Sequence, residues 1–134
     1  MEQNNPQTEP NPYAGKKVLL IEDELKLGEN LKNYLEMREF TVSHAINGEE
    51  GIKLVENFNP DLVISDIIMP EMDGYSMLKQ LKKLRADLPV IILTGKDKLK
   101  DLFEVEGIEG FLTKPFNLVE VENKIKEVLE KANK

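Results

Sequence analysis

The chain of 134 residues has no cysteine, no tryptophan and only one histidine. Without cysteine it cannot form a disulfide, a thiolate nucleophile or a Cys-ligated zinc site. A single histidine excludes a His-rich metal site and a relay between two histidines. The apolar runs, such as Val18-Leu19-Leu20-Ile21, fall far short of the roughly 20 residues that a membrane-spanning helix needs. No basic and apolar leader follows Met1, so we expect no secretory signal.

Positive charge is scarce as well, with 18 Lys and Arg against 25 Asp and Glu and a net charge of −7. Nonspecific nucleic-acid binding needs a surplus of Lys and Arg on one face, so we expect no nucleic-acid partner for this domain. The length suits one domain with a substantial core. We therefore expect a single cytoplasmic domain without membrane insertion.

Residues 1–15 differ in composition from the rest of the chain. They contain Pro6, Pro10 and Pro12, no Lys or Arg, and few apolar side chains. Such a segment buries too little surface to offset the entropy lost on ordering. We predict a disordered N-terminal tail over residues 1–15 and a folded domain over residues 16–134.

The folded part alternates short apolar runs with longer amphipathic stretches. Branched apolar residues predict buried strands at 18–21, 62–65 and 90–93, with two further strands at 40–43 and 111–112. Apolar residues at helical spacing predict five helices: one at about 24–39, one capped by Asn47 with Glu50, one ending near Leu84, a short one within 96–106, and one capped by Asn117 with Glu120. This alternation predicts an α/β fold, a five-stranded parallel sheet with helices on both faces.

Polar side chains follow the predicted strands at one edge of that sheet. Glu22 and Asp23 come after the first strand, Asp66 after the third, Thr94 ends the fourth, and Lys114 follows the fifth. Ligands of open parallel sheets bind beyond the carboxyl ends of the strands, so these residues form the candidate site.

The residue types at this edge suit phosphoryl chemistry. Carboxylates that lie close together repel one another and need a counter-charge, which Mg²⁺ can supply together with water and a phosphate oxygen. Lys114 adds a fixed positive charge for an anion. A carboxylate can also be the nucleophile that accepts a phosphoryl group as an acyl phosphate. The constellation favours phosphoryl capture on an aspartate.

Four segments resemble the receiver domain of two-component response regulators: VLLIEDE, DLVISDIIMPEMDGYSML, VIILTG and GFLTKPF. The resemblance covers about residues 16–133. It implies the flavodoxin-like, doubly wound strand order 2-1-3-4-5, which is the order known for receiver domains. Because the chain ends soon after the last predicted helix, we expect a stand-alone receiver of the chemotaxis or phosphorelay type, whose output goes through protein contact or a phosphorelay.

The resemblance assigns the phospho-acceptor and the metal ligands. It makes Asp66 the phospho-acceptor, and Glu22 and Asp23 the acidic pair that holds Mg²⁺ together with Asp66. The backbone carbonyl of Ile68, two residues after the acceptor, would complete the protein ligands. Such a domain is not an enzyme, since it catalyses only its own phosphoryl transfer and dephosphorylation.

The resemblance also assigns the residues that respond to phosphorylation. Thr94 matches the switch hydroxyl, Lys114 the phosphate-contacting lysine, and Phe111 the switch aromatic, which in the family turns inward on phosphorylation. The bond between Lys114 and Pro115 is cis in many members. The implied phosphodonor is a sensor histidine kinase or a histidine phosphotransfer protein, and output goes to a downstream protein that the sequence does not name.

Two features depart from the family pattern. Glu22 stands where many members have Asp, and the stretch from Thr94 to Lys114 is slightly shorter than is usual. The shortening falls within 96–106, so we expect a fourth helix that is shortened, shifted or mobile, and we do not carry over the family's modes of dimerisation through this face. Among the residues outside the motifs, we expect His44 at the surface and the charged residues of the last helix on a solvated face.

Other functions remain open at this point. The domain could be a pseudo-receiver that binds partners without being phosphorylated, or the excised receiver of a longer regulator. Phosphatases with an Asp nucleophile usually carry a second Asp two residues later, where this chain has Ile68 after Asp66 and Leu25 after Asp23. The absence of a Walker-type Gly-x-x-x-x-Gly-Lys motif removes the nucleotide-binding alternative.

Overall fold

The computed structural model describes residues 10–66, 74–95 and 108–132. Its strands are β1 (Lys17–Ile21), β2 (Thr41–Ala45), β3 (Leu62–Asp66), β4 (Val90–Gly95) and β5 (Gly110–Lys114). The helices within these ranges are α1 (Leu25–Met37), α2 (Gly48–Phe58), α3 (Gly74–Leu84) and α4 (Leu118–Ala132). The short helix predicted within 96–106 lies outside the described residues, as does Ile68.

The strands form one parallel sheet in the order β2-β1-β3-β4-β5, which confirms the expected α/β topology. The register pairs Ile21, at the end of β1, with Ala45 on one side and Ser65 on the other. The carboxyl ends of the three neighbouring strands are therefore level. Residues that follow these ends must lie close together.

The sheet separates two apolar layers. On one face α1 and α4 pack against Val18, Leu20, Ile64, Ile91 and their neighbours. On the other face α2 and α3 pack against Leu19, Ile21, Val63, Val90 and Ile92. Burying one such side chain contributes about 1.5–3 kcal/mol, so these layers offset the repulsion of charged groups at the sheet edge. None of the described helices combines the length and apolar character needed to cross a bilayer.

Side chains predicted to cap helices do so. Asn47 Oδ1 accepts the Glu50 N–H at 2.8 Å at the start of α2. At the start of α4 the bonds are reciprocal, because Asn117 Oδ1 accepts the Glu120 N–H at 2.8 Å and Glu120 Oε1 accepts the Asn117 N–H at 3.1 Å. These bonds satisfy N–H groups that have no partner within the helix.

The boundary between α1 and β2 differs from the predicted one. The helix ends at Met37, and β2 begins at Thr41 and runs to Ala45. The physical reason lies at Phe40, whose N–H still donates to the carbonyl of Leu35 at the end of α1. The Phe40 side chain is buried in the core layer that α1 and α4 cover. Phe40 is therefore apolar because it packs at the end of α1, and not because it is part of β2.

Residues 10–15, expected within the N-terminal tail, contact the folded domain. The Asn11 side-chain amide donates to the carbonyl of Arg38, and the Gly15 N–H donates to the carbonyl of Glu39 at 2.7 Å. Tyr13 packs against the core layer of α1 and α4. One aromatic side chain and a few hydrogen bonds thus order a segment whose average composition suggests disorder. Residues 1–9 lie outside the described ranges.

The expectation of a fully solvated charged face on the last helix is wrong for Glu122, which is only 1% exposed. Its carboxylate accepts hydrogen bonds from Tyr34 Oη at 2.6 Å and from Arg38 Nε at 2.8 Å, and Lys126 Nζ lies 2.9 Å away. Burial opposes its ionisation, but the three donors prevail and lower the pKa of Glu122. This network joins α4 to the second half of α1.

Candidate functional site

Three carboxylates converge at the carboxyl edge of the sheet, as the sequence predicts. Glu22 and Asp23 directly follow β1, and Asp66 is the last residue of the neighbouring β3. One oxygen from each of the three carboxylates lies within 4.8 Å of the other two. Glu22 and Asp66 are buried, whereas Asp23 is exposed. A cluster of this kind is open to solvent on the Asp23 side.

The Glu22 carboxylate is desolvated and only partly hydrogen-bonded. Its Oε2 accepts the Glu24 N–H at 3.1 Å, but Oε1 has no hydrogen-bond partner among the described residues. Burial raises the pKa of Glu22 to about 7 against the opposing Glu24 hydrogen bond, and the charge of Asp66 adds to the rise. A buried oxygen without a partner beside two further carboxylates suits a hard divalent cation.

Lys114 supplies positive charge from the edge strand. Its Nζ donates to Asp66 Oδ2 at 2.9 Å. Burial alone would lower the pKa of Lys114, but the hydrogen bond and the charge of Asp66 outweigh it, so the pKa is raised. The ammonium therefore stays protonated, yet its single charge does not balance three carboxylates. The donor set present fits Mg²⁺ as a further counter-charge.

The two predicted switch residues occupy different environments. Thr94 is 1% exposed, and its hydroxyl donates to the carbonyl of Gly95 at 3.2 Å. Phe111 is 40% exposed on β5. The peptide bond between Lys114 and Pro115 is cis, as expected. The structure thus brings four predicted site residues together in space, Glu22, Asp23, Asp66 and Lys114, with Thr94 at the same sheet edge.

One neighbour of the site was not anticipated from the sequence. His44 Nε2 lies 2.8 Å from the backbone carbonyl oxygen of Glu22, and the ring packs against Gly28 of α1. The expectation of a surface histidine is wrong, because His44 is half-buried beneath the helix. A signal was present: Gly28 falls on the inward stripe of α1 with Leu27 and Leu31, where a residue without a side chain indicates close approach of another group.

Comparison with known proteins identifies the family. The model of the response regulator receiver domain matches residues 18–126. The chain belongs to the response regulator receiver family. The receiver domain of the Francisella response regulator 1452 superposes with a TM-score of 0.80 and 31% identity, covering 87% of this chain and 98% of that one. This similarity agrees with the strand order and the position of the site.

Two further proteins resemble this receiver. The response regulator TrrA of Thermotoga maritima, solved in complex with Mg(2+)-BeF, superposes with a TM-score of 0.77 and 32% identity, covering 84% of this chain and 98% of that one. A probable transcriptional regulator, ycf29 of Porphyra purpurea, is 39% identical over 84% of this chain and 56% of its own length. This receiver spans about half the length of the first curated relatives that it matches.

Receiver domains are signalling modules of two-component systems that interact with sensor kinases and phosphotransfer proteins. Mg²⁺ binding is general among them, and the acidic cluster of this receiver has the composition that such binding needs. The family is broadly non-enzymatic.

Proposed function

We propose that this receiver accepts a phosphoryl group on Asp66 from a phosphohistidine of a sensor histidine kinase or a histidine phosphotransfer protein. The observation that carries the proposal is the convergence of three carboxylates within 4.8 Å of one another, with Lys114 Nζ 2.9 Å from Asp66. Such a site combines an anionic nucleophile with positive charge for the incoming phosphoryl group. The proposed location is the cytoplasm.

The proposed metal ligands are the carboxylates of Glu22, Asp23 and Asp66, with the backbone carbonyl of Ile68 as a further ligand. The Oε1 of Glu22 supports this set, because it is a buried acceptor with no donor within residues 10–66, 74–95 and 108–132. When bound, Mg²⁺ supplies positive charge to the phosphoryl oxygens and removes the mutual repulsion of the acids.

The proposed transfer is a displacement at phosphorus. A carboxylate oxygen of Asp66 attacks the phosphorus, and a new P–O bond forms while the P–N bond to the donor imidazole breaks. The imidazole nitrogen leaves with the electron pair and takes up a proton. Lys114 then pairs with the transferred phosphoryl oxygens instead of with Asp66 alone, which stabilises the added charge.

The proposed response begins at β4 and β5. The Thr94 hydroxyl donates to a phosphoryl oxygen instead of to the Gly95 carbonyl. The exposed Phe111 ring moves inward. Such a change biases a two-state equilibrium of the face formed by β4, β5 and α4. A downstream protein that binds one state of this face would receive the signal.

The test is phosphorylation of the purified protein by a small donor. Incubation with MgCl₂ and acetyl phosphate or phosphoramidate, followed by intact mass spectrometry, should show the gain of one phosphoryl group. Asp66→Asn should gain none, while Asp61→Asn, an aspartate at the opposite edge of the sheet, should react like the unaltered protein. Peptide mapping after borohydride reduction should locate the modification at Asp66.

Failure of both donors to modify the protein, together with no response to beryllium fluoride, would overturn the phospho-acceptor proposal. It would favour a pseudo-receiver that binds partners without phosphorylation. Because the curated relatives are about twice as long as the matched region, the same phosphorylation also suits a receiver that belongs to a longer regulator.

A further inference from the structure

We propose that His44 is a positioning residue, which holds the acidic loop of residues 22–24 in the arrangement that binds the cation. The inference rests on the proposed function, since it concerns the same carboxylates. His44 lies on β2, a strand that contributes no carboxylate to the cluster. Its action on the site is therefore indirect, through the main chain of Glu22.

The contact is a side-chain hydrogen bond to the backbone. His44 Nε2 lies 2.8 Å from the Glu22 carbonyl oxygen, and a carbonyl oxygen only accepts, so Nε2 carries the donated proton. The Glu22 N–H donates to the Ala45 carbonyl at 3.0 Å. Two consecutive residues of β2 thus hold the main chain of Glu22: the Ala45 carbonyl accepts from its N–H, and the His44 ring donates to its carbonyl. Glu22 lies one residue beyond Ile21, the last residue of β1 that is paired with β2.

This attachment matters because both loop carboxylates depend on the loop's main chain. The Glu24 N–H is already bonded to the Glu22 carboxylate, so a rotation of the peptide after Glu22 shifts that side chain and Asp23 together. Groups that hydrogen-bond to metal-ligating residues orient them, and their loss typically weakens metal affinity by about 10–100-fold. His44 fills this role through the Glu22 carbonyl.

Packing fixes the imidazole in place. A Cβ at residue 28 would lie 2.2 Å from Cε1 and 2.4 Å from Nε2 of His44, so only glycine admits the ring beside α1. Glycine destabilises the interior of a helix. Its presence at residue 28 is explained by the His44 ring, which occupies the space that a side chain would fill. The ring is enclosed between β2 and α1 and bonds the loop that connects β1 to α1.

The first test measures Mg²⁺ affinity by calorimetry with MgCl₂ alone. His44→Leu retains apolar volume but cannot donate, and it should bind Mg²⁺ about tenfold more weakly. His44→Gln carries an amide donor at similar reach and should recover most of the affinity. Asp23→Asn tests the metal site itself. If Asp23→Asn loses binding while His44→Leu binds as tightly as the unaltered protein, the positioning role is overturned but the site stands.

The second test needs no metal, so it separates the inference from the proposed function. With only one histidine in the sequence, the imidazole NMR signals are unambiguous, and the Nε2 proton should exchange slowly with water. In His44→Leu, exchange of the hydrogen-bonded amides of Glu22 and Glu24 should accelerate at least tenfold, while exchange at Ser65 stays unchanged. Unchanged exchange at the Glu22 and Glu24 amides would refute the proposal even if the protein binds no Mg²⁺.

A third variant pair covers the case in which His44→Leu folds poorly. Gly28→Ala pushes against the ring and should weaken Mg²⁺ binding and accelerate exchange at the Glu22 and Glu24 amides. In the His44→Ala background, where the ring is absent, the same Gly28→Ala change should have no further effect on either readout. Equal effects of Gly28→Ala in both backgrounds would show that the ring does not transmit them.

Discussion

Lys114 reaches Asp66 across an intervening strand: β4 separates β5 from β3, yet Lys114 Nζ donates to Asp66 Oδ2 at 2.9 Å. The ion pair therefore connects the edge strand that carries Phe111 to the central strand that carries the proposed acceptor. A phosphoryl group on Asp66 would change this connection directly. Through this hydrogen bond, Lys114 connects the carboxylate cluster to β5.

We predict that Lys114→Ala retains Mg²⁺ binding but loses most of the structural change caused by phosphorylation. The three carboxylates remain, whereas the link between Asp66 and β5 is gone. Amide chemical shifts recorded with and without beryllium fluoride check this, with Lys131→Ala, an exposed residue of α4, as the control. A response of β5 in Lys114→Ala equal to that of the unaltered protein would remove Lys114 from the mechanism.

A second prediction concerns the buried Glu22. Mg²⁺ at 100 times its Kd should stabilise the unaltered protein by about 2.7 kcal/mol, because it binds only the folded state. Glu22→Gln removes a desolvated charge that Asp66 repels, so without metal its melting temperature should equal or exceed that of the unaltered protein. The stabilisation of Glu22→Gln by added Mg²⁺ should be less than half of that of the unaltered protein.

Thermal melts with MgCl₂ and with EDTA measure both effects. Glu29→Gln, an exposed acid of α1, is the matched control and should keep the full Mg²⁺ stabilisation. A Glu22→Gln protein that is markedly destabilised without metal, yet fully stabilised by Mg²⁺, would show that Glu22 is structural and not a ligand.

The ion pair between Arg38 and Glu122 yields a third prediction. Glu122→Ala removes the carboxylate to which the buried Arg38 Nε donates at 2.8 Å, and loss of one partner of a buried pair should lower the free energy of unfolding by about 3–5 kcal/mol. Urea denaturation measures it. Glu127→Ala, in exposed pairs on the same helix, should leave the denaturation midpoint nearly unchanged. Equal midpoints for the two variants would contradict the importance of the buried network.

The fourth prediction is a pH dependence at Tyr34. Burial, and next the hydrogen bond to Glu122, raise the pKa of Tyr34 from 10.0 to about 12. Since the folded pKa exceeds the unfolded one, the contribution of Tyr34 is fully present below pH 10 and is lost as the pH rises through 12. The stability difference between the unaltered protein and Tyr34→Phe should be constant below pH 10 and shrink above it.

Phenolate absorbance gives an independent check of that titration. The ionisation that is missing in Tyr34→Phe should have its midpoint near pH 12. Glu122→Gln should lower that midpoint, because the Glu122 charge opposes phenolate formation. A Tyr34 that ionises near its ordinary pKa would contradict a buried bond to Glu122.

The sequence predicted much of the fold because its signals are local. Apolar runs of branched residues located β1, β3 and β4, shorter apolar segments located β2 and β5, and capping side chains such as Asn117 located helix starts. The strand order came from the resemblance. The boundary at Phe40 was missed because the periodic pattern does not reveal whether an apolar residue packs with the preceding helix or the following strand.

The positions of the site residues were predictable from the parallel arrangement of the strands. A parallel sheet brings residues after different strand ends together, so the convergence of Glu22, Asp66 and Lys114 follows from topology. The environment of His44 and the burial of Glu122 did not follow. Their hydrogen bonds join residues 22 and 84 positions apart, and such contacts depend on how the helices pack on the sheet.

The contact between Lys114 and Asp66 spans 48 positions of the chain, and this separation matters while the protein is being synthesised. On a ribosome, the segment holding Glu22, Asp23 and Asp66 emerges well before β5 does. Until β5 joins the sheet, Asp66 has no contact with the Lys114 ammonium. The Lys114–Asp66 ion pair can therefore form only after the last strand of the sheet has been synthesised and has paired with β4.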